Sequence, residues 1–205
     1  MAAFSCLADG GTAIALSDDD VTAIVDKHNQ LRSNVTPSAT NMLKMTWNEE
    51  AAKNARDVAK TCPEEHSTYS ARKVGTIFCG ENIFVSTHEI NLKEAIQAWY
   101  NEVRNFDFTT QPLNEEQKMA LLKLVGHYTQ VVWHNSKEIG CAQVFCPDLE
   151  LPYILVCHYC PAGNTDITKP YETGKSCEKC PNHCEDNLCS KWQKELYKKV
   201  QRLLS

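Results

Sequence analysis

No apolar run in this chain approaches the ~18 residues that a membrane-spanning helix needs. Positive charge is also short. The 21 Lys and Arg stand against 26 Asp and Glu, a net charge of −5, which excludes a nucleic-acid binder driven by bulk basicity. There is no internal repeat and no low-complexity tract, and no serine stands in a G-x-S-x-G elbow. The mildly apolar start, MAAFSCLADGGTAIALS at 1–17, has no basic residue before it and is interrupted by Asp9-Gly10-Gly11, so it reads as a weak leader. The 205 residues, 42% of them hydrophobic, suffice for one well-buried domain with a small appendage.

What the chain has in quantity is cysteine, 11 residues in all. Cys6 stands alone near the start. The other ten, from Cys62 to Cys189, form an even set that fits five disulfides and an exported protein. Cys157/Cys160 and Cys177/Cys180 have C-x-x-C spacing, which also reads as a four-thiolate zinc site.

Along the chain, Asp18–Asp20 and Thr22 offer caps for a helix with Val21, Ile24, Val25, His28 and Leu31 at helical spacing, ended by Pro37. Asn48 is a natural N-cap for a second helix reaching Cys62. A third runs from about Leu92 to Val103. In 109–125, Asn114 followed by two glutamates predicts a short extra helix before His127. Three runs read as strands: YTQVVW at 128–133, IGCAQVFC at 139–146 and YILVCHY at 153–159. They lie too close together for parallel crossovers, so the expected class is α+β with an antiparallel sheet. Residues 165–189 are polar and carry four cysteines, so they are expected to depend on disulfides. The tail, 190–205, reads as a basic amphipathic helix with a local charge of +4 and apolar Trp192, Leu196, Val200 and Leu203.

Several segments together are specific. GHYTQVVWHNSKEIGCA at 126–142, VCHYCPAGN at 156–164 and FCGENI at 78–83 resemble the signature motifs of the CAP superfamily, which includes the cysteine-rich secretory proteins. KHNQLRSNV at 27–35, NMLKMTWNEEAAKNA at 41–55 and the hinge-like CEKCPNHCEDNLC at 177–189 extend the resemblance over residues 20–189. It implies a three-layer α/β/α sandwich over 18–164 followed by a small disulfide-tied hinge. It also implies the pairs Cys62–Cys146, Cys79–Cys160, Cys141–Cys157, Cys177–Cys184 and Cys180–Cys189, which spacing alone does not choose. Full-length relatives continue into a six-cysteine channel-blocking module. No further cysteine follows Cys189 here, so a truncated member is expected and channel block is not.

The resemblance places two histidines and two glutamates in a central cleft: His66, Glu81, Glu102 and His127. Imidazoles at His66 and His127 suit a divalent metal such as Zn2+, with the carboxylates orienting the ligands or a bound water. The alternative is a hydrogen-bonded network that only pins loops. Two firm ligands imply a weakly held ion, whereas metal-assisted hydrolysis usually needs three. Ser67 adjoins His66, but extended neighbours point apart, so no nucleophile is assigned and no enzyme is expected. Trp47, Trp99 and Trp133 read as core or cleft wall. His28, His88, His134, His158 and His183 read as packing or surface. Asn34 heads a glycosylation sequon weakened by Pro37. By resemblance to truncated members from egg jelly, the chain is read as a secreted signalling ligand for a sperm-surface receptor in fertilisation. The alternative is a sterol or lipid carrier using Met119-Ala120-Leu121-Leu122 in a loop, and a metal-assisted hydrolase ranks last.

Overall fold

The computed structural model describes residues 10–110 and 114–190. Cys6 and the tail beyond Ser190 lie outside these residues, as does most of the segment read as a leader. Within that segment, β1 (Thr12–Ile14) pairs antiparallel with β6 (Glu138–Phe145). Ser17 then caps α1 (Asp18–Ser33) in a box completed by Asp20. The cap is thus one residue ahead of the acidic run expected to provide it, because Asp20 is used at the third helical position.

The central sheet runs β1-β6-β7-β5, with β5 at Gly80–Ser86 and β7 at Tyr153–Cys160. The β5–β7 and β6–β7 ladders are antiparallel, and only the two-residue β2 (Thr46–Trp47) adds a parallel pair to β6. Strand alternation sends side chains to two faces. Leu155, Cys157 and Tyr159 join the core under α1, α3 (Leu92–Asn101) and α4 (Glu115–Val131). Ile154 and Val156 pack with Ala55, Val58 and Ala59 of α2 (Glu49–Ala59). The result is the three-layer sandwich. Gly140 is needed for the α2 layer to sit close, since a Cβ there would lie 2.6 Å from Asn48 O and 2.7 Å from Ala51 C.

One expected strand is absent. Residues 128–131 of YTQVVW are the last turn of α4, and the helix begins at the Asn114 capping box, so the short extra helix and the supposed strand are one element. Tertiary packing overrides the β-rich composition. Val125, Tyr128 and Thr129 recur at helical spacing and are buried, and Thr129 Oγ1 donates to Val125 O at 3.0 Å. The Met119–Leu122 stretch is likewise helical, not loop.

Arg32 fixes the end of this helix to its surroundings. It is 1% exposed, and its guanidinium donates to the carbonyls of Leu43, Val131, Trp133, His134 and Ser136. The cation therefore sits at the negative end of α4, where it completes carbonyls that the helix leaves unpaired. Burial lowers its pKa to about 9.

Residues 165–189 are held by more than their disulfides. One short pair, β8 (Cys184–Glu185) with β9 (Leu188–Cys189), forms there; a second, β3 (Lys73–Val74) with β4 (Ile77–Phe78), lies elsewhere on the chain. The segment is sewn to the sandwich by Thr40 N–H to Glu172 O at 2.8 Å and Cys189 N–H to Met42 O at 2.7 Å. Tyr171 and Leu188 enter the main core. A few well-placed apolar residues do what the segment's polar composition concealed.

Candidate functional site

The site is built on β5, an edge strand, and on the elements that approach it from either face. Glu81 and Asn82 are neighbours on that strand and point to opposite faces. Glu81 pairs across the ladder with His158, and His158 with Gly140. These three share the face covered by the first turn of α2. Asn82 points to the other face, where its amide donates to Tyr159 OH at 3.3 Å and to His127 O at 3.2 Å.

On the α2 face, the Glu81 side chain is fully buried and accepts four hydrogen bonds. His66 Nδ1 donates to Oε1 at 2.9 Å, and so does the Ser67 N–H at 2.9 Å. Ser67 Oγ donates to Oε2 at 2.7 Å, and His158 Nε2 donates to the same oxygen at 3.0 Å. Burial by itself would raise the pKa of this carboxyl. The donors from His158, His66 and Ser67 outweigh it and hold the group well below the usual carboxylate range.

On the opposite face, Glu102 follows α3 and accepts His127 Nδ1–H through Oε1 at 2.6 Å. Its Oε2 accepts the backbone N–H groups of His127 and Tyr128, both at 3.0 Å. The carboxylate thus treats this turn of α4 as a helix N-terminus. Trp99 stacks on the His127 ring with centroids 6.2 Å apart and planes at 22°. Asn164 secures the same turn by donating to Gly126 O at 2.9 Å.

All four expected residues therefore stand in two His–Glu dyads that straddle β5. His66 meets Glu81 and His127 meets Glu102. Among the described residues, no three of these four groups bring ligand atoms within 4.8 Å of one another. In each dyad the carboxylate engages Nδ1, so Nε2 is the ring nitrogen that the dyad does not use. His66 keeps 56% of its side chain exposed and His127 35%. A carboxylate on one ring nitrogen and a free second nitrogen is the arrangement found behind metal-ligating histidines. Imidazole nitrogen backed by a carboxylate is a donor type that a divalent ion takes.

Sequence reasoning missed two members. Ser67 does not point away from His66; both bend onto Glu81. His158, read as packing, is wholly buried and bonded to the same carboxylate. The alternating pattern of β7 places His158 on the Glu81 face, and that signal was available once β5 and β7 were paired. Of the other histidines, His28 bridges Ile24 O and Tyr159 OH at 2.8 and 2.9 Å, and His134 meets Pro170 O at 3.1 Å. Asn34 is exposed at the end of α1, with its amide donating to Gln30 O at 2.7 Å.

The ten cysteines from Cys62 to Cys189 form five disulfides, in the same five pairs that the resemblance implied. Cys177, Cys180 and Cys189 bring their sulfurs together as a metal cluster would, but each is bonded to another sulfur and offers no thiolate.

An α/β/α sandwich stapled by five disulfides and carrying paired His–Glu dyads defines a class of cysteine-rich folds. Residues 25–159 match the family model described as CAP, the cysteine-rich secretory protein family. The chain belongs to this family. It is 44% identical to Cysteine-rich secretory protein 2 of Cavia porcellus over 183 residues, covering 87% of this chain and 72% of that protein. It is 41% identical to Allurin of Xenopus tropicalis over 187 residues, covering 89% and 88%. Among solved structures, NaASP2 with Zn2+ is 32% identical with a TM-score of 0.68, covering 85% of this chain and 97% of that one.

Proposed function

We propose that this protein is a secreted, non-enzymatic signalling ligand that acts on sperm through a surface receptor, and that its two dyads hold a divalent ion weakly. The observation that carries the signalling reading is the similarity to Allurin, which extends over 88% of that protein's length. Support for the ion comes from the Nε2 atoms of His66 and His127, which the dyads do not use, and from the zinc in the NaASP2 structure. Zn2+ would be a structural aid to the cleft, not a requirement for folding, because only two protein ligands face it.

Binding is favoured over catalysis by the state of Ser67. Its hydroxyl proton is committed to Glu81, and a carboxylate held far below its usual range is a poor base for activating a nucleophile. The lipid-carrier alternative is less well served. Met119 and Leu122 line a groove of about 530 Å3, but Glu115, Lys118, Asp166 and Lys169 share it.

The test is a cell-binding measurement with fluorescently labelled protein on sperm. Saturable binding that unlabelled protein competes away is expected. Binding that does not saturate, or that is equal on unrelated motile cells, contradicts the receptor reading.

A further inference from the structure

His158 is buried with 0% exposure, yet it is not apolar packing. An ionised Glu81 can only accept hydrogen bonds, so His158 Nε2 carries the proton it gives to Oε2 at 3.0 Å. Its Nδ1 is left as a buried polar atom with no hydrogen-bond partner, one of two such side-chain atoms among the described residues. Burying an unpaired nitrogen is unfavourable, and a leucine of similar size would avoid it. The gain lies at Glu81. Its Oε1 orients His66 and the Ser67 N–H, both of which belong to a loop outside the sheet. Those loop contacts alone would let the carboxylate follow the loop. A donor fixed in the middle of β7 instead ties the carboxylate to the ladder.

We propose that His158 is a positioning residue: it anchors Glu81 to the sheet, and Glu81 in turn aims the His66 imidazole and fixes the 66–67 backbone at the cleft. The metal part of this inference rests on the proposed reading of the two dyads as an ion site. The anchoring part does not, because it concerns hydrogen bonds within the protein. Outer partners of this kind usually change metal affinity by roughly 10–100-fold.

The experiment compares wild type, His158→Leu, His158→Gln and the double variant His66→Ala/His127→Ala. Two quantities are read on the oxidised full chain: zinc affinity by calorimetry and hydrogen-exchange protection of the Ser67 amide. For His158→Leu we expect zinc affinity to fall roughly 10–100-fold and Ser67 protection to drop. His158→Gln keeps an N–H donor of similar reach and should restore most of both, which a role in packing alone would not produce. The glutamine variant also serves if leucine prevents folding, since wild-type-like values from it support the donor role. Unchanged Ser67 protection in folded His158→Leu, or glutamine behaving no better than leucine, overturns the inference. Wild type that binds no zinc while Ser67 protection still falls in His158→Leu removes the ion site and leaves the anchor standing. Zinc binding that survives the double alanine variant removes the dyads as its ligands.

Discussion

At the residue scale, the buried polar groups decide how the protein responds to acid. His28 donates from Nδ1 to Ile24 O, and its Nε2 accepts from Tyr159 OH, so the neutral ring is satisfied and a second proton has no acceptor. Burial pushes its pKa down to about 4, aided by the charge of Arg32, although the Ile24 carbonyl works the other way. The unfolded ring protonates near its ordinary 6.5 and the native ring only near 4. Between these values the unfolded state binds more protons, so stability is full above 6.5 and falls as pH drops through the window, by roughly 3 kcal/mol. Glu81 is shifted in the same direction, from a lower starting point. Its contribution is present above the ordinary carboxylate range and is lost only in stronger acid. Urea unfolding at pH 7.5 and 5 should therefore show a clear loss that His28→Gln flattens. A parallel pH dependence in that variant would show that His28 is not its source. None of this was legible from one sequence. A histidine on an apolar helix face looks the same whether it packs or bonds, and the bond to Tyr159 spans 131 positions.

At the element scale, α4 shows how a correct local signal and a wrong one can meet in one helix. Asn114 was readable as a cap, because its side chain accepts from Gln117 N–H while Gln117 accepts from Asn114 N–H. The strand reading of 128–133 followed β-branched composition, which is weak against burial. The evidence for helix lay in the i, i+3, i+4 spacing of Val125, Tyr128 and Thr129, masked by Val131, Val132 and Trp133 close behind. Glu102 then reinforces the turn at His127 from outside the helix. The two halves of α4 are thus held differently, the first by its cap and the second by packing. Asn114→Ala should cost about 1 kcal/mol, with the loss of amide protection confined to the first turns and the His127 dyad untouched. Loss of protection reaching Tyr128 would mean that the halves are one cooperative unit.

At the scale of the whole molecule, α2 and the β6–β7 pair were legible because an Asn48 cap, periodicity and long β-rich runs agree with one another, whereas β1, β2 and β5 were not read as strands. The cleft residues were legible only through family motifs, since Glu81 and His66, or Glu102 and His127, are brought together by loops and helix ends that no local pattern encodes. Residues 165–189 were read as dependent on disulfides because their polar composition hides two anchors, Tyr171 and Leu188, that join the core. Disulfides Cys62–Cys146 and Cys79–Cys160 close loops of 84 and 81 residues, and such staples stabilise by restricting the unfolded chain. In the proposed reading, the surface they hold rigid is what the sperm receptor contacts. The central claim is accordingly tested by sperm migration in a concentration gradient of the oxidised protein, beside the same protein reduced and alkylated, with unrelated motile cells as control. Directed migration of sperm toward the oxidised protein alone is expected. An absent response, or one that the reduced protein or the control cells reproduce, would contradict it.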